Sequence, residues 1–212
     1  MKGSDMSNAP YIEVDIEGRG TLSVPRPTSL ADLKNIAEIT EDELVPVVGA
    51  LYNGRVLGLE YCVARKCRVR FITTGTEEGA DIYRRSLSML LHAAFLDTAD
   101  ESATLKIEHS LSRGFYYTYK NNKELTEEAV RYIERRMKEM VEECVPFAKK
   151  EYEVEHALDI FENIHAHERL YLLKYSTRAK TTLYTLGKCV NLAQGPLVPH
   201  TGYLKLFRLA SY

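Results

Sequence analysis

A run near the C-terminus, VNLAQGPLVPHTGYLKLF (190–207), contains a concentrated set of polar groups in this 212-residue chain. Its glycines and prolines are typical of a rigid turn, and such turns often position functional side chains. The side chains that could bond a ligand are Asn191, Gln194, His200 and Thr201. We therefore predict that the run lines a ligand cleft. The alternative is that glycine and proline serve the turn alone.

A second set of side chains could contact phosphate or RNA, because arginine and tyrosine hold phosphates and stack on bases. Alternate residues of a strand face the core, so some of the aromatic run should instead be packing. For the arginines, a solvated helix face is the alternative. The candidates are Arg84, Arg85, His109, Arg113 and Tyr117.

Metal binding is not predicted. His156, His165 and His167 lie in a polar stretch without cysteines or carboxylates at ligand spacing. The four cysteines are scattered without CxxC spacing, which favours reduced residues rather than a zinc knuckle or a disulfide framework.

The composition indicates a globular protein. Hydrophobic residues make up 45% of the chain, enough for a buried core. The net charge is only −2, so the protein has no strong overall electrostatic field that would attract nucleic acid or a membrane surface. No apolar run is long enough to cross a bilayer, and the N-terminus lacks a signal core. We expect a cytoplasmic location and no membrane partner.

The elements that must position these groups divide the chain into two domains after a tag or disordered leader at 1–10. YIEVDIEG and TLSV predict a hairpin, and Ser29 can cap a helix over SLADLKNIAEI. VVGALY and RVL flank an Asn53-Gly54 turn, and KCRVRFI closes the group. Two hairpins around one helix predict a small β-grasp module over 11–72.

The remaining chain, 73–212, predicts a larger α+β domain, so that the fold class is α+β throughout. Helical spacing marks TTGTEEGADIYRRSLSMLLHAAFLD, and Thr126 can cap a helix that starts at LTEEAV. Further short helices are predicted at EHALDIFENI and at Leu170 to Leu173. The predicted strands are TLKIEHS, GFYYTYK, TLYTLG, KCVNLA and YLKLFRL.

Several of these blocks carry a family resemblance. In order, TTGTEEGADIYRRSLSMLLHAAF, SRGFYYTY, LTEEAVRYIERRMKEMVEECVPF and VNLAQGPLVPHTGYLKLF resemble the editing-domain region of threonyl-tRNA synthetases. The preceding module is similar to the TGS domain of those enzymes, and the resemblance covers about residues 11 to 209. It implies a TGS-like β-grasp module followed by a synthetase-type editing fold.

A closer resemblance is to the N-terminal extension of bacterial uridine kinase-like (nucleoside kinase) fusion proteins. It is carried by the segments YRRSLSMLLHAAF, EHSLSRGFYYTY and GPLVPHTGYLKLF. In that family these two domains precede a P-loop kinase. The pattern GxxxxGK[ST] is absent from this sequence. ATP and magnesium are therefore expected only for a kinase domain of the parent protein, and no cofactor is expected for this chain.

The resemblance also implies where hydrolytic groups would lie, namely an HxxxH helix and a loop of the form DxCRGPHVP. The matching positions here hold Met89, Ala93, Asn191, Ala193 and Leu197, none of which ligates a metal or moves a proton. Arg169 takes the place of a family lysine and can hold an anion. His92 is one residue off the motif, a rotation of about 100°, so it is either a cleft residue or a histidine at the core edge.

Three functions from different classes follow. The first, which we favour, is a non-catalytic binding or regulatory module of a uridine kinase-like protein, sensing a nucleotide, an aminoacyl group or RNA such as tRNA. The second is a stand-alone RNA-binding or trans-editing protein that hydrolyses mischarged tRNA. The third is a structural module for self-association.

Overall fold

The computed structural model describes residues 10–98, 103–111, 114–120, 125–164 and 166–210, which form two compact units. The first unit runs to Tyr83 and includes Gly195–Pro199, and the second comprises Arg84–Gln194 and the segment from His200. This division falls inside a helix that begins at Glu77, whereas the boundary predicted from sequence at 72 and 73 precedes that helix.

The first unit is built on a mixed five-stranded sheet of order β2-β1-β7-β4-β5. The β1 and β7 strands are parallel, while β1 with β2, β4 with β7 and β4 with β5 are antiparallel. A short pair, β3 with β6, accompanies it. The elements are β1 (Tyr11–Ile16), β2 (Gly20–Pro25), β3 (Thr28–Ser29), helix α1 (Leu30–Ile36), β4 (Val47–Tyr52), β5 (Arg55–Leu57), β6 (Cys62–Val63) and β7 (Cys67–Thr73).

Local signals explain the first unit. Ser29 caps α1, its Oγ accepting a hydrogen bond from the Asp32 amide at 3.0 Å. Asn53 and Gly54 both have positive φ, 45° and 85°, as a tight hairpin turn requires. Leu30 and Leu33 of α1 are fully buried in the apolar core of the sheet. The predicted hairpins and helix are confirmed, and the arrangement is a β-grasp.

Helix α2 (Glu77–Thr98) begins where Thr76 Oγ1 accepts a hydrogen bond from the Gly79 amide at 3.1 Å. Gly79 is required by close packing, because a Cβ there would lie 1.9 Å from the carbonyl oxygen of Thr73.

The second unit combines a hairpin, three further helices and a three-stranded antiparallel sheet of order β10-β11-β12. An apolar cluster that includes Ala157, Phe161, Leu173 and Leu183 joins its helices to the sheet. The elements are β8 (Thr104–Leu111), β9 (Gly114–Lys120), α3 (Glu127–Glu142), β10 (Ala148–Glu153), α4 (Val154–Asn163), α5 (His167–Lys174), β11 (Lys180–Leu186) and β12 (Cys189–Leu192).

Most predicted elements of this unit are confirmed, including the Thr126 cap, whose Oγ1 accepts from the Ala129 amide at 3.2 Å. One is wrong, because YLKLFRL is not a strand. Within it Leu204 is fully buried, but Leu206 is 65% exposed, and the Leu209 amide donates to a Glu134 carboxylate oxygen at 3.0 Å instead of to a strand. Across the described ranges, no helix has the length and apolar character needed to cross a membrane.

Candidate functional site

The best-defined polar arrangement of the second unit joins Arg169 of α5 to Asn191 of β12. Arg169 Nε donates to Asn191 Oδ1 at 2.9 Å, and the same oxygen accepts from the Leu192 amide at 2.9 Å. The amide oxygen is thus held from two sides and orients the guanidinium. Among the described residues, the terminal nitrogens of Arg169 have no hydrogen-bond or ion-pair partner.

Strand alternation explains why Asn191 can take this role. Val190 and Leu192 pack against the apolar cluster of α4 and α5. Their neighbours Cys189 and Asn191 lie on the other face of β12, since successive side chains of a strand alternate. The charge of Arg169 also lowers the pKa of the Cys189 thiol, against the larger effect of burial.

His92 of α2 belongs to the same neighbourhood. Its Nδ1 donates to the Ser88 carbonyl oxygen at 2.8 Å, and its ring meets the Tyr117 ring edge-on at 5.8 Å. Burial lowers the pKa of His92, and the positive charge of Arg169 adds to this, against the opposing effect of the Ser88 carbonyl. The imidazole is therefore a neutral, anchored ring near pH 7.

Two further titratable groups of this neighbourhood, Cys189 and Tyr117, are held in their protonated forms. Burial raises the pKa of Cys189 to about 11, which keeps it a thiol at neutral pH. Burial likewise raises the pKa of Tyr117, despite a hydrogen bond with Ser88 that lowers it. We refer to His92, Tyr117, Arg169, Cys189 and Asn191 together as the Arg169 site. It offers an oriented cation and neutral polar groups, but no activated nucleophile.

Two candidates from the C-terminal loop lie in different surroundings. Thr201 is fully buried, and its hydroxyl donates to the carbonyl oxygen of Met140 in α3. His200 forms a bridge with Pro146 and contacts the Tyr203 ring at 4.8 Å. Burial lowers the pKa of His200. Both residues thus tie the chain after residue 199 to the second unit.

Gln194, the remaining loop candidate, is exposed and follows Ala193, whose amide donates to the Thr182 carbonyl oxygen at 2.9 Å. On α2, the two positions that match the family's HxxxH histidines are Met89 and Ala93. Both are apolar and buried, at 3% and 2% exposed. The structure thus brings Asn191 to Arg169, and His92 near them, but gives Thr201 a buried backbone partner.

The candidate phosphate or RNA contacts do not form one group in the described structure. Arg84 and Arg85 are partly buried on α2 and have interactions within the protein, and Tyr117 belongs to the Arg169 site. His109 lies in β8 opposite Tyr116, and its side chain is outside the described part. Arg113 lies outside the described residues altogether.

One feature of the surface was missed by sequence reasoning. Tyr171 of α5 and Tyr175, the residue that follows the helix, are 64% and 72% exposed, with ring centroids 4.8 Å apart. Their four-residue spacing places them on one helix face, a signal present in the sequence YLLKY. Lys174, between the two tyrosines in the sequence, and Arg178, three residues after Tyr175, are also exposed.

No group of three histidine, cysteine, aspartate or glutamate residues is placed to hold a metal ion within the described ranges. Of the three histidines considered from sequence, His156 contacts the ring of Tyr152 at 5.4 Å. His165 and the side chain of His167 lie outside the described part.

Comparison with known proteins gives this site its context. No protein-family model matches the chain. The threonine–tRNA ligase of Thermotoga petrophila is 33% identical over 167 residues, which is 77% of this chain and 26% of that enzyme. Those of Thermotoga maritima and Lawsonia intracellularis are 31% and 29% identical over 178 residues, or 82% and 84% of this chain and 28% of each enzyme.

This chain is homologous to the N-terminal region of threonyl-tRNA synthetases. It spans about a quarter of the length of the curated relatives it matches, 26% of the first. The mixed α+β architecture agrees with the editing-like domain of that region, as the resemblance implied.

Proposed function

We propose that the second unit is a non-catalytic binding module, related to a synthetase editing domain, that holds a ligand at the Arg169 site. The observation that carries this proposal is the Arg169 Nε to Asn191 Oδ1 hydrogen bond, which orients a cation whose terminal nitrogens lack partners among the described residues. The surrounding groups can form hydrogen bonds with a ligand but cannot act as nucleophiles on an ester. His92 is neutral and bonded to a carbonyl, and the Cys189 thiol is protonated.

The direct test is deacylation of mischarged threonine tRNA by the full chain, with an editing-competent threonine–tRNA ligase as the positive control. We expect no turnover above the rate in buffer. Sustained turnover that is lost in His92→Ala or His200→Ala would overturn the proposal and establish trans-editing. Thermal-shift measurements with nucleosides, nucleotides, threonine and tRNA form the binding arm, because a ligand of the folded state raises the melting temperature.

We further propose that the first unit is a TGS-like module, and that both units form the regulatory N-terminal part of a cytoplasmic uridine kinase-like protein. The blocks YRRSLSMLLHAAF, EHSLSRGFYYTY and GPLVPHTGYLKLF support this parentage. ATP and magnesium would then serve the kinase domain alone, and self-association would be a property of the assembled protein. Sequencing the natural transcript beyond the codon for Tyr212 is the test, and a stop codon there would contradict it.

A second candidate function is RNA binding by a stand-alone protein. The relatives are named as tRNA ligases, and the exposed Tyr171–Tyr175 pair beside Lys174 and Arg178 has the aromatic and basic character of a nucleic-acid contact. Fluorescence anisotropy with labelled tRNA tests it. Binding that weakens in a Tyr171→Ala/Tyr175→Ala variant, but not in Tyr11→Ala, would favour this function. Tyr11 is a suitable control because it is 59% exposed in the first unit.

A further inference from the structure

We propose that the Arg169 site selects its ligand by a negative charge, binding a carboxylate or a phosphate group on the terminal nitrogens of Arg169 and rejecting an aminoacyl ester. This inference rests on the proposed function, because it names the ligand class of the same site.

The described charges around the site are unbalanced. Asn191 contributes an amide where a carboxylate would have paired with Arg169. His92 and Cys189 are neutral because burial opposes the charged form of each. Glu168 is the adjacent carboxylate and its charge also acts on His92, but its side chain is 68% exposed and one of its oxygens lies 3.7 Å from Lys106 Nζ. Among the described residues, no carboxylate forms an ion pair with Arg169.

The geometry suits an oxyanion. Nε is engaged by Asn191, which restricts the orientation of the guanidinium and leaves its two terminal nitrogens for a ligand. Paired N–H donors of this kind match two oxygens of a carboxylate or phosphate. Partial burial of Arg169 strengthens the attraction, because the effective dielectric constant there is lower than in water.

An aminoacyl ester has the opposite electrostatics. Its carboxyl group is esterified and carries no charge, while its α-amino group is a cation that a guanidinium repels. A free amino acid or a phosphate monoester instead presents the anion that Arg169 lacks. The aminoacyl end of an editing substrate thus lacks the anionic group that the site is proposed to hold on Arg169.

Two matched ligand pairs test the inference on the full chain by calorimetric titration. Threonine is compared with threonine methyl ester for the carboxylate, and uridine monophosphate with uridine for the phosphate. We expect the anionic member of at least one pair to bind at least about tenfold more tightly than its partner, the scale of a charge-assisted hydrogen bond. The pair that discriminates identifies which oxyanion the site takes.

Variants locate the effect. Arg169→Gln should lower the affinity for the anion by about tenfold or more, and Asn191→Asp should do the same by pairing with the guanidinium. Arg131→Gln is the matched control, since it removes an arginine whose side chain is 79% exposed on α3 of the same unit and should leave affinity unchanged. Circular dichroism verifies that each variant is folded. An unfolded Arg169→Gln would be replaced by Arg169→Lys, which keeps the charge and should bind measurably more weakly than the original.

Three outcomes would overturn the inference. These are equal affinity of the two members within both pairs, unchanged affinity in both Arg169→Gln and Asn191→Asp, and no binding by any of the four probes. Preference for the ester without turnover on mischarged tRNA would refute only the charge selection and leave the binding module standing. Turnover on mischarged tRNA would instead refute the proposed non-catalytic function.

Discussion

Replacing Thr201 with valine should destabilise the second unit while leaving binding at the Arg169 site unchanged. Helix α3 ends at Glu142, and Cys144 adopts a positive φ of 52°. Its amide bonds the Val141 carbonyl at 3.2 Å, so the Met140 carbonyl loses the amide that a continuing helix would supply. The Thr201 hydroxyl takes that place, donating to the Met140 carbonyl oxygen from a fully buried side chain.

The magnitude follows from this geometry. Valine has nearly the shape of threonine, so the main loss is the donor to a buried carbonyl, which costs about 1–3 kcal/mol in unfolding free energy. A chain of this size loses about 2–4 °C in melting temperature per kcal/mol, so the expected fall is about 2–12 °C. Thr201→Ser keeps the hydroxyl and removes one methyl group, and it should be the milder of the two changes.

Thermal unfolding followed by circular dichroism at the helical band measures the fall, and titration with the anionic probes measures binding. A Thr201→Val melting temperature within about 1 °C of the original would refute the capping role. Greater damage from serine than from valine would refute it as well, because the methyl group would then matter more than the hydroxyl. Loss of anion binding in a folded Thr201→Val variant would show that Thr201 acts at the Arg169 site.

Two further predictions concern titration. Cys62 and Cys144 are exposed and should react with a disulfide-exchange reagent in the folded protein. Cys67 and Cys189 should react only on unfolding, since both are buried and the pKa of Cys189 is about 11. Labelling followed by peptide mass spectrometry gives the order in which the four cysteines react. Burial lowers the pKa of His92 from 6.5, so the unfolded chain takes up its proton first as the pH falls, and stability should decline below about pH 6.5. Urea midpoints across this range should fall less steeply in His92→Gln, and an identical slope would contradict the assignment.

The fold could be predicted where a local signal decides it. Ser29 and Thr126 could be predicted as helix caps because the partner of each side-chain oxygen is the backbone amide three residues later, which is close in the sequence. The prediction of a strand at YLKLFRL was wrong. Its alternation of apolar and polar residues is typical of a strand, but a strand also needs a partner elsewhere in the chain. The strand β10, AKKEYE, was missed for the opposite reason. Five of its six residues are exposed and four are charged, as suits an outer strand of the sheet β10-β11-β12.

The site was only partly readable for the same physical reason. Resemblance picked out Arg169 and Asn191 separately, but the hydrogen bond between them spans 22 residues and depends on how α5 packs on the sheet. The sequence alone does not distinguish a loop hydroxyl that faces a ligand from one that caps a helix. The Thr201 hydroxyl caps a helix, because it donates to the carbonyl oxygen of Met140, 61 residues earlier in the chain.

The proposed loss of hydrolysis and the proposed preference for an anion have one electrostatic cause. The resemblance implies an aspartate and a lysine where this chain has Asn191 and Arg169. A carboxylate and an ammonium would neutralise each other and leave room for a ligand that carries its own cation. An amide and a guanidinium form a hydrogen bond 2.9 Å long here but leave the positive charge uncompensated. The exchange that removes the aspartate therefore also reverses the sign of the ligand group that the site can hold, which is why we infer that binding persists with a different ligand.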